Sequence, residues 1–487
     1  MLKFLIFEHV IFYYAKLPTS MRLWTFSMLF LLVLFKYNAG YAQHNKAEEE
    51  LLSPLMYYLE KQPYSLEFTL QGLSYSRQEL PFWMEHNQRG RISKNTSVLG
   101  TLSAKAVSFV SDESSIIYGT NILYQDAGAP GIQLDEIYAH YQDLNFYVTV
   151  GKKQQREVLQ GLSASNGNML LSLNTRAIPG VQIGSTSPFY FTKKKVFGLE
   201  GSWNEYFLGD SKHSENVLLH YKKFGAVLQL NGWDLKAGVQ HMAQWAGTLN
   251  HSGEQPSGFN DYLQVVLGSE GTTKNARNQL KSKGNHLGIY EFHLGKSYKF
   301  FKLQFFYNHL FEDISGRRFE NFPDGRYGFY YEAYNPSQLI NAIIYEFYYT
   351  QHQSYTASGF HKYDNYFNSN TYRSGWTYKN RVIGTPFFTG DSNENGIINN
   401  KFTAHHIGIS GELGNYFQKY PYKLLLSYAK NEGVYSKRYS PEENVFYGLF
   451  DINLLQKTIH LNFQSGVEFN NTAPPNFGAG IRLMYKL

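Results

Sequence analysis

The stretch Tyr64-Ser65-Leu66-Glu67-Phe68-Thr69-Leu70-Gln71 alternates strictly between apolar or aromatic side chains and polar ones. Because successive side chains of a β-strand point to opposite faces, one face of this segment suits lipid and the other suits water. The same alternation recurs in residues 301–305, 422–424 and 459–464, and it closes the chain between Phe477 and Leu487. This pattern is typical of a membrane-spanning β-barrel.

The composition supports the same all-β class. Aromatic residues make up 17% of the chain, with 40 Tyr and 37 Phe, yet the mean hydropathy is only −0.39. A spanning strand needs about 9 to 11 residues with half of them apolar, whereas a spanning helix needs about 20 consecutive apolar residues, which are absent beyond the N-terminal region. A soluble β-sandwich, solenoid or propeller also alternates, but no fixed repeat period is present.

The N-terminal region indicates export. Met21 and Arg22 begin a positively charged start, the apolar run 26–35 follows, and small residues up to Ala42 suit a signal peptidase, so we interpret Met21 as the true start. Membrane anchors within the first 42 residues are the alternative interpretation. The predicted organisation is a signal region at 1–42 cleaved after Ala42, a short periplasmic helical segment at 43–62 and a transmembrane antiparallel β-barrel at 63–487.

The length sets the number of strands. Roughly 445 residues follow Ala42, and at about 22 to 26 residues per strand with its connection they form about 16 to 20 strands, with even numbers the rule. Polar segments rich in Gly, Asn and Ser predict long loops, which belong mainly outside the cell. These segments are residues 88–96, 249–260, 269–285, 352–373 and 389–401.

Charge and motifs exclude several functions. The formal net charge is +6 and no Lys/Arg stripe stands out, so we expect no nucleic-acid partner. The chain has no Cys, and no nucleophile elbow, His-Glu-x-x-His or Walker loop is present, so we expect no cofactor, no metal and no catalysis. Asp391-Ser392-Asn393-Glu394-Asn395-Gly396 imitates the start of a calcium loop, but Phe402 stands where the bidentate Glu belongs. A polar turn and a loosely held cation both remain open there.

Four segments that follow one another in order resemble the capsule assembly family of outer-membrane barrels called Wzi, in the form found in Bacteroidetes-like bacteria. They are Gly238–Gly247, Arg318–Gly328, Tyr345–Ser354 and Tyr372–Pro386. The resemblance implies an 18-stranded barrel in the cell outer membrane that acts as a surface lectin and anchors capsular polysaccharide or exopolysaccharide. Its other partner would be outer-membrane lipid, and we expect a monomer.

Sugar binding needs aromatic faces that stack on pyranose rings, flanked by planar donors and acceptors. On a strand, Tyr372, Trp376 and Tyr378 would share one face and Arg373 would lie on the other. The candidate polysaccharide-binding residues are His241, Gln244, Trp245, Tyr372, Arg373, Trp376, Tyr378 and Arg381. The alternatives are interfacial girdle residues for the aromatic side chains and ion pairs across the lumen for the arginines.

The favoured function is therefore a non-enzymatic, polysaccharide-binding barrel. A porin or substrate-specific channel is the main alternative, because any lumen lined by polar side chains could conduct. An outer-membrane hydrolase is a third hypothesis, against which the missing nucleophile motif argues.

Overall fold

A computed structural model describes residues 63–268, 270–274, 280–355, 363–415 and 418–487. The predicted signal region at 1–42 and the predicted helical segment at 43–62 lie outside these residues. Within the described part of the chain, no helix is long and apolar enough to cross a membrane.

Eighteen antiparallel strands form a closed ring, as predicted. Each strand pairs with its neighbours in the ring, and the first strand pairs with the last: Thr69 lies opposite Thr101 on one side and opposite Met484 on the other. The strands are β1 (Tyr64–Tyr75), β2 (Val98–Ser111), β3 (Ser114–Gln125), β4 (Gly131–Gln142), β5 (Phe146–Lys152), β6 (Pro179–Ser185), β7 (Phe197–Ser211), β8 (Ser214–Leu230), β9 (Trp233–Trp245), β10 (Asn285–Ser297), β11 (Phe301–Phe311), β12 (Gly325–Ala333), β13 (Ala342–Tyr349), β14 (Phe402–Gly414), β15 (Lys419–Val434), β16 (Lys437–Gln456), β17 (Ile459–Asn470) and β18 (Ala473–Lys486).

The register of the wall follows the sequence alternation. Phe68 and Leu70 are both 44% exposed on the outer face of β1, whereas Gln71 is buried inside. Gln71 donates a hydrogen bond to Gln464 of β17 over 2.9 Å. Because one face of each strand is apolar, a shift by one residue would turn every polar side chain toward lipid, and this penalty fixes the register. The predicted outward set of β1 is confirmed.

The connections differ sharply between the two ends of the barrel. One end, where β1 starts and β18 ends, carries short turns such as 112–113, 231–232 and 457–458. The other end also has short turns, such as 435–436. The long connections lie at the other end, and all the loops predicted from composition belong to them. In outer-membrane barrels long loops face the outside and short turns face the periplasm, so these are the external and periplasmic ends. The long connections are residues 76–97, 153–178, 246–284, 312–324 and 350–401.

Three of these connections fold into the barrel, and we call them the inner segments. They are residues 76–97, residues 153–178 and the described parts of 350–401, which are residues 350–355 and 363–401. Residues 153–178 touch walls on opposite sides of the lumen. Ser163 donates to Glu346 of β13 over 2.7 Å, whereas Arg176 pairs with Asp135 of β4 over 2.7 Å. The sequence did not predict this segment as a loop. It crosses the lumen and occupies the space that an open pore would need.

A β-bulge in β4 shapes the wall that receives this segment. Asn121 of β3 lies opposite Glu136, but the next residue, Ile122, lies opposite Leu134, so Asp135 has no partner. The extra residue lets both carboxylates point inward, where alternation alone would allow only one. Arg91 contacts both of them, at 2.6 Å and 3.2 Å.

Short elements complete the structure. Helix α2 begins after Gly258, whose N–H donates to Asp261 over 3.0 Å, and it ends at Gly268, where φ is 58°. Glycine adopts such a left-handed conformation without strain. The helices are α1 (Phe82–Glu85), α2 (Phe259–Leu267) and α3 (Ile314–Arg317), with a 3₁₀ turn at Leu159–Gly161. Short strands of two to five residues lie outside the ring: Phe189–Tyr190, Thr248–Leu249, Gly253–Glu254, Glu270–Lys274, Leu280–Ser282, Thr377–Tyr378, Arg381–Val382, Thr389–Gly390 and Ile397–Asn399.

Candidate functional site

The segment that holds most of the predicted site residues is a small hairpin and not a single strand. Thr377–Tyr378 pairs with Arg381–Val382, and the turn residues Lys379 and Asn380 both have positive φ, 50° and 58°. Two successive positive φ values are the geometry of a tight two-residue hairpin turn. Tyr372 lies before this hairpin, outside any strand. The expectation that Tyr372, Trp376 and Tyr378 share one strand face is therefore wrong.

Those three aromatic side chains are buried. Trp376 is fully inaccessible, Tyr372 is 4% exposed and Tyr378 is 8% exposed. The Tyr372 hydroxyl donates to the carbonyl of Ala246 over 3.1 Å, which ties the inner segment 350–401 to the end of β9. These rings form part of the apolar core inside the barrel. Whether their faces meet glycan stays a prediction, and in this structure they support the loop from within.

Arg381 joins two inner segments. Its Nη2 atom lies 2.9 Å from Oε1 of Glu85, and it also donates to the backbone carbonyl of Ile92. Both side chains of the pair are largely buried, with exposed fractions of 12% and 10%. The geometry matches the ion-pair alternative considered for the lumen arginines.

His241, Gln244 and Trp245 belong to β9 but do not form one set. Gln244 points into the lumen and donates to the carbonyl of Gly375 over 3.0 Å. His241 and Trp245 have the opposite parity and face outward, where Trp245 packs against Tyr262 of α2 with ring centroids 5.2 Å apart. His241 contacts His286 of β10, with 3.0 Å between Nε2 and Nδ1. Strand alternation separates these three side chains.

Arg373 is the predicted site residue that lies exposed at the surface. It belongs to the inner segment 350–401 at the external end of the barrel, and its backbone carbonyl approaches Gly396. The structure therefore leaves its guanidinium accessible from outside the cell, as a glycan-binding role requires.

A group of aromatic side chains at the external end was missed by the sequence reasoning. Tyr435, in the tight turn between β15 and β16, stacks with Tyr355 at 5.3 Å and with Tyr363 at 4.9 Å. The interplanar angles are 7° and 24°. Tyr355 is half exposed. We call Tyr355, Tyr363 and Tyr435 the tyrosine patch.

Two cations adjoin the tyrosine patch. The Lys401 ammonium lies 4.6 Å from the centre of the Tyr435 ring, and the Arg438 guanidinium lies 5.2 Å from it. Arg438 is exposed. An exposed aromatic ring beside an exposed, forked guanidinium supplies the parts that stacking on sugars and pairing with sugar carboxylates need, whereas Lys401 is buried and lies 3.8 Å from Glu432. Tyr355 and Tyr363 lie close together in one predicted loop, and this was the signal that the sequence offered. Tyr435 could not be assigned to the same group, because it lies 72 residues beyond Tyr363.

An acidic group lies next to this patch. The Ser354 hydroxyl donates to Asp364 over 2.6 Å, directly after Tyr363 in the chain. Burial raises the pKa of the Asp364 carboxyl to about 7, and the negative charge of Asp313 adds to the effect. The charge state of this loop therefore changes near neutral pH.

In the predicted polar turn at residues 391–396, the Asp391 side chain forms hydrogen bonds within the turn. Asp391 accepts a hydrogen bond from Asn395 over 2.7 Å and another from the backbone N–H of Asn393 over 3.2 Å. Across the residues that the structure describes, no group of three or more His, Asp or Glu side chains could hold a metal ion.

Below the inner segments, a cavity of about 1620 Å³ reaches the periplasmic end, where Tyr64 and Leu487 line it. We call it the vestibule. Its lining combines apolar side chains with many polar and charged ones, and positive side chains outnumber negative ones. The lysines and arginines are Arg89, Arg91, Lys105, Lys153, Arg156, Lys223, Lys236, Arg326 and Lys486, and the glutamates are Glu67, Glu136, Glu157 and Glu291.

A closed ring of eighteen strands with an apolar outer face and a polar interior defines this chain as an outer-membrane β-barrel protein. The chain belongs to the family described as capsule assembly protein Wzi, whose model matches residues 81–405. A comparison with curated proteins finds no match.

A comparison with solved structures finds similar chains. One is Wzi of Escherichia coli, described as an outer-membrane protein involved in group 1 capsule assembly and as a carbohydrate-binding β-barrel. It is 12% identical, with a TM-score of 0.55, and the match covers 91% of this chain and 89% of that one. Another is OccK3 (OpdO) of Pseudomonas aeruginosa, at 10% identity and a TM-score of 0.48, covering 89% and 99%.

Proposed function

We propose that this protein anchors capsular polysaccharide or exopolysaccharide at the cell surface as a non-enzymatic, glycan-binding barrel. The tyrosine patch with its flanking cations is the observation that carries the proposal. It lies at the external end, it is partly exposed, and it combines stacking faces with positive charge. Family membership and the description of Escherichia coli Wzi as a carbohydrate-binding barrel support the same function.

Within this proposal, the residues predicted from sequence divide into two roles. Arg373 is exposed and is proposed to contact glycan directly. The other seven hold the external surface in place: Gln244 and Tyr372 bind the loop to β9, Arg381 binds it to residues 76–97, and Trp376 fills its core. A firmly held surface binds a polymer with a smaller loss of conformational entropy.

We further propose that the protein works as a monomer in outer-membrane lipid. The ring is closed by the pairing of β1 with β18, so the ring itself offers no free strand edge to a second copy. The outer face carries exposed apolar side chains such as Phe68, Phe305 and Ile481. These suit the hydrocarbon of the bilayer.

A channel is the second candidate function, and the wide vestibule with its many charged side chains is the observation that favours it. Against it, residues 153–178 cross the lumen and bond to β13 and β4 on opposite walls. Conduction would require that this segment leave the barrel.

The experiment that tests the proposed function measures binding of purified surface polysaccharide to the full chain in lipid nanodiscs. Replacing Tyr355 by Ala removes one exposed ring and Arg438→Gln removes one cation. Each aromatic contact contributes about 0.5–1.5 kcal/mol, so Tyr355→Ala should weaken binding about twofold to twelvefold. Tyr334→Ala is the matched control, because Tyr334 is 52% exposed in the turn between β12 and β13 at the periplasmic end. Equal affinities of all four proteins would contradict the proposal.

A further inference from the structure

The positive charge of the vestibule is only partly neutralised by its own walls. Lys223 and Lys236 both approach Glu291, at 3.5 Å and 3.3 Å, and both also pair with Glu200, so this side of the cavity is balanced. Arg91 is balanced by Asp135 and Glu136. These ion pairs involve Glu136 and Glu291, two of the glutamates of the lining.

Four other cations of the lining form no ion pair within the described chain: Arg89, Lys105, Lys153 and Arg156. Arg89 donates to the carbonyl of Gln155 over 3.0 Å, and the Lys153 ammonium lies 5.4 Å from the centre of the Tyr138 ring. Burial lowers the pKa of Lys153 to about 8; the positive charge of Lys105 adds to this effect and Glu136 opposes it. Like charges that face one cavity repel one another unless an anion enters it.

The rest of the lining suits a sugar better than a simple anion. The volume of about 1620 Å³ exceeds the roughly 300–1,000 Å³ of pockets for single small molecules. Tyr138, Tyr147 and Tyr206 present aromatic rings or hydroxyls, and Gln182 and Asn204 present amides. Amides and hydroxyls bond sugar hydroxyls as donors and acceptors, and rings stack on sugar faces.

We propose that the vestibule binds an acidic oligosaccharide, a run of sugar units with carboxylates, from the periplasmic side. Arg89, Lys105, Lys153 and Arg156 would pair with the carboxylates, and the tyrosines and amides would hold the rings. This inference rests on the proposed function in one respect only, namely that the ligand is a sugar. The tyrosine patch lies at the opposite end of the barrel, so the two sites can fail separately.

The test uses the purified full chain in nanodiscs and calorimetric titration with tetragalacturonate, with maltotetraose as the neutral oligosaccharide and inorganic phosphate as the simple anion. Tetragalacturonate should bind, with an affinity that falls as salt rises, because the charge pairs are screened. The double variant Lys105→Gln, Lys153→Gln should weaken binding at least about tenfold. Lys457→Gln, on the periplasmic turn 457–458 and outside the lining, removes one charge and should leave the affinity unchanged.

Arg156→Gln provides a second, independent variant, because Arg156 is exposed and lines the cavity, and its side chain forms no hydrogen bond or ion pair with another described residue. It too should weaken binding, whereas Tyr355→Ala at the other end should not. If tetragalacturonate does not bind, the inference is wrong. This holds also if binding fails because the acidic stretch Glu48–Glu50 of the same chain competes with the oligosaccharide. Equal binding of maltotetraose, phosphate that competes fully with tetragalacturonate, or unchanged affinity in the vestibule variants would also overturn it.

Discussion

The Arg381 guanidinium lies 2.9 Å from the Glu85 carboxylate, inside the barrel, and links residues 350–401 to residues 76–97. An arginine that the sequence suggested as a direct glycan ligand is thus committed to an internal ion pair. The external surface of this barrel depends on such contacts between inner segments, which distant parts of the chain supply.

The first prediction concerns this ion pair. Arg381→Gln leaves the Glu85 carboxylate largely buried without its cation, which should cost about 3 kcal/mol of local stability. Amide hydrogen exchange in residues 76–97 should therefore speed up while the barrel strands keep their protection. The double variant Glu85→Gln, Arg381→Gln should lose less local stability, because no unpaired charge remains buried. Unchanged exchange together with lost glycan binding would instead identify Arg381 as a direct ligand.

A second prediction tests the register of β1. Phe68 faces lipid, so Phe68→Arg near the middle of the membrane should cost about 2–4 kcal/mol of folding free energy. Glu67 faces the lumen and forms only a partly exposed pair with Lys486 at 3.4 Å, so Glu67→Gln should cost at most about 1 kcal/mol. Equilibrium folding into lipid vesicles measures both. Equal costs for the two changes would show that the register is wrong.

Strand alternation made this part of the fold predictable. In β1 and β18 the outward positions are apolar and the inward positions are polar, and lipid on one side enforces that choice. The long loops were predictable from composition for a similar reason, since Gly, Asn and Ser disfavour strands. Residues 153–178 were missed although residues 161–168 carry the same Gly, Ser and Asn signal, and only contacts with Asp135 and Glu346 place the segment inside the barrel.

The binding surface was harder to predict than the fold. Period-two alternation already separates Gln244 from His241 and Trp245, so their different faces could have been read from β9 itself. The burial of Trp376 could not have been predicted from the sequence, because it depends on how the inner segments pack together. The tyrosine patch joins Tyr355 and Tyr363 to Tyr435 through the closing of the barrel, and no local pattern encodes that meeting.

The third prediction is a pH dependence near the tyrosine patch. An unfolded aspartate titrates near pH 3.9 and Asp364 in the folded loop titrates near 7, so the folded state binds more protons between these values. The opening free energy of this loop should therefore fall as pH rises from about 4 to about 7 and level off above that. Hydrogen exchange around residue 364, corrected for the intrinsic rate, measures it. Asp364→Asn should flatten the response, and a flat response in the parent protein would exclude this titration.

A fourth prediction separates the binding barrel from the channel. In planar bilayers the parent protein should be nearly silent, because residues 153–178 cross the lumen. Replacing residues 154–178 by a short Gly/Ser linker should open a conducting path while the ring of strands persists. Heat-modifiable migration in gels would confirm that the barrel still assembles. Steady conductance by the parent protein would favour the channel.

The most direct test of the central claim measures polysaccharide retained on producing cells and polysaccharide released into the medium. Cells that lack the gene, or that carry Tyr355→Ala with Arg438→Gln, should release surface polysaccharide while total synthesis stays the same. Cells with the control Tyr334→Ala should retain it. Unchanged retention in the deletion strain, or a loss that follows reduced synthesis, would contradict the account of this barrel as a surface anchor.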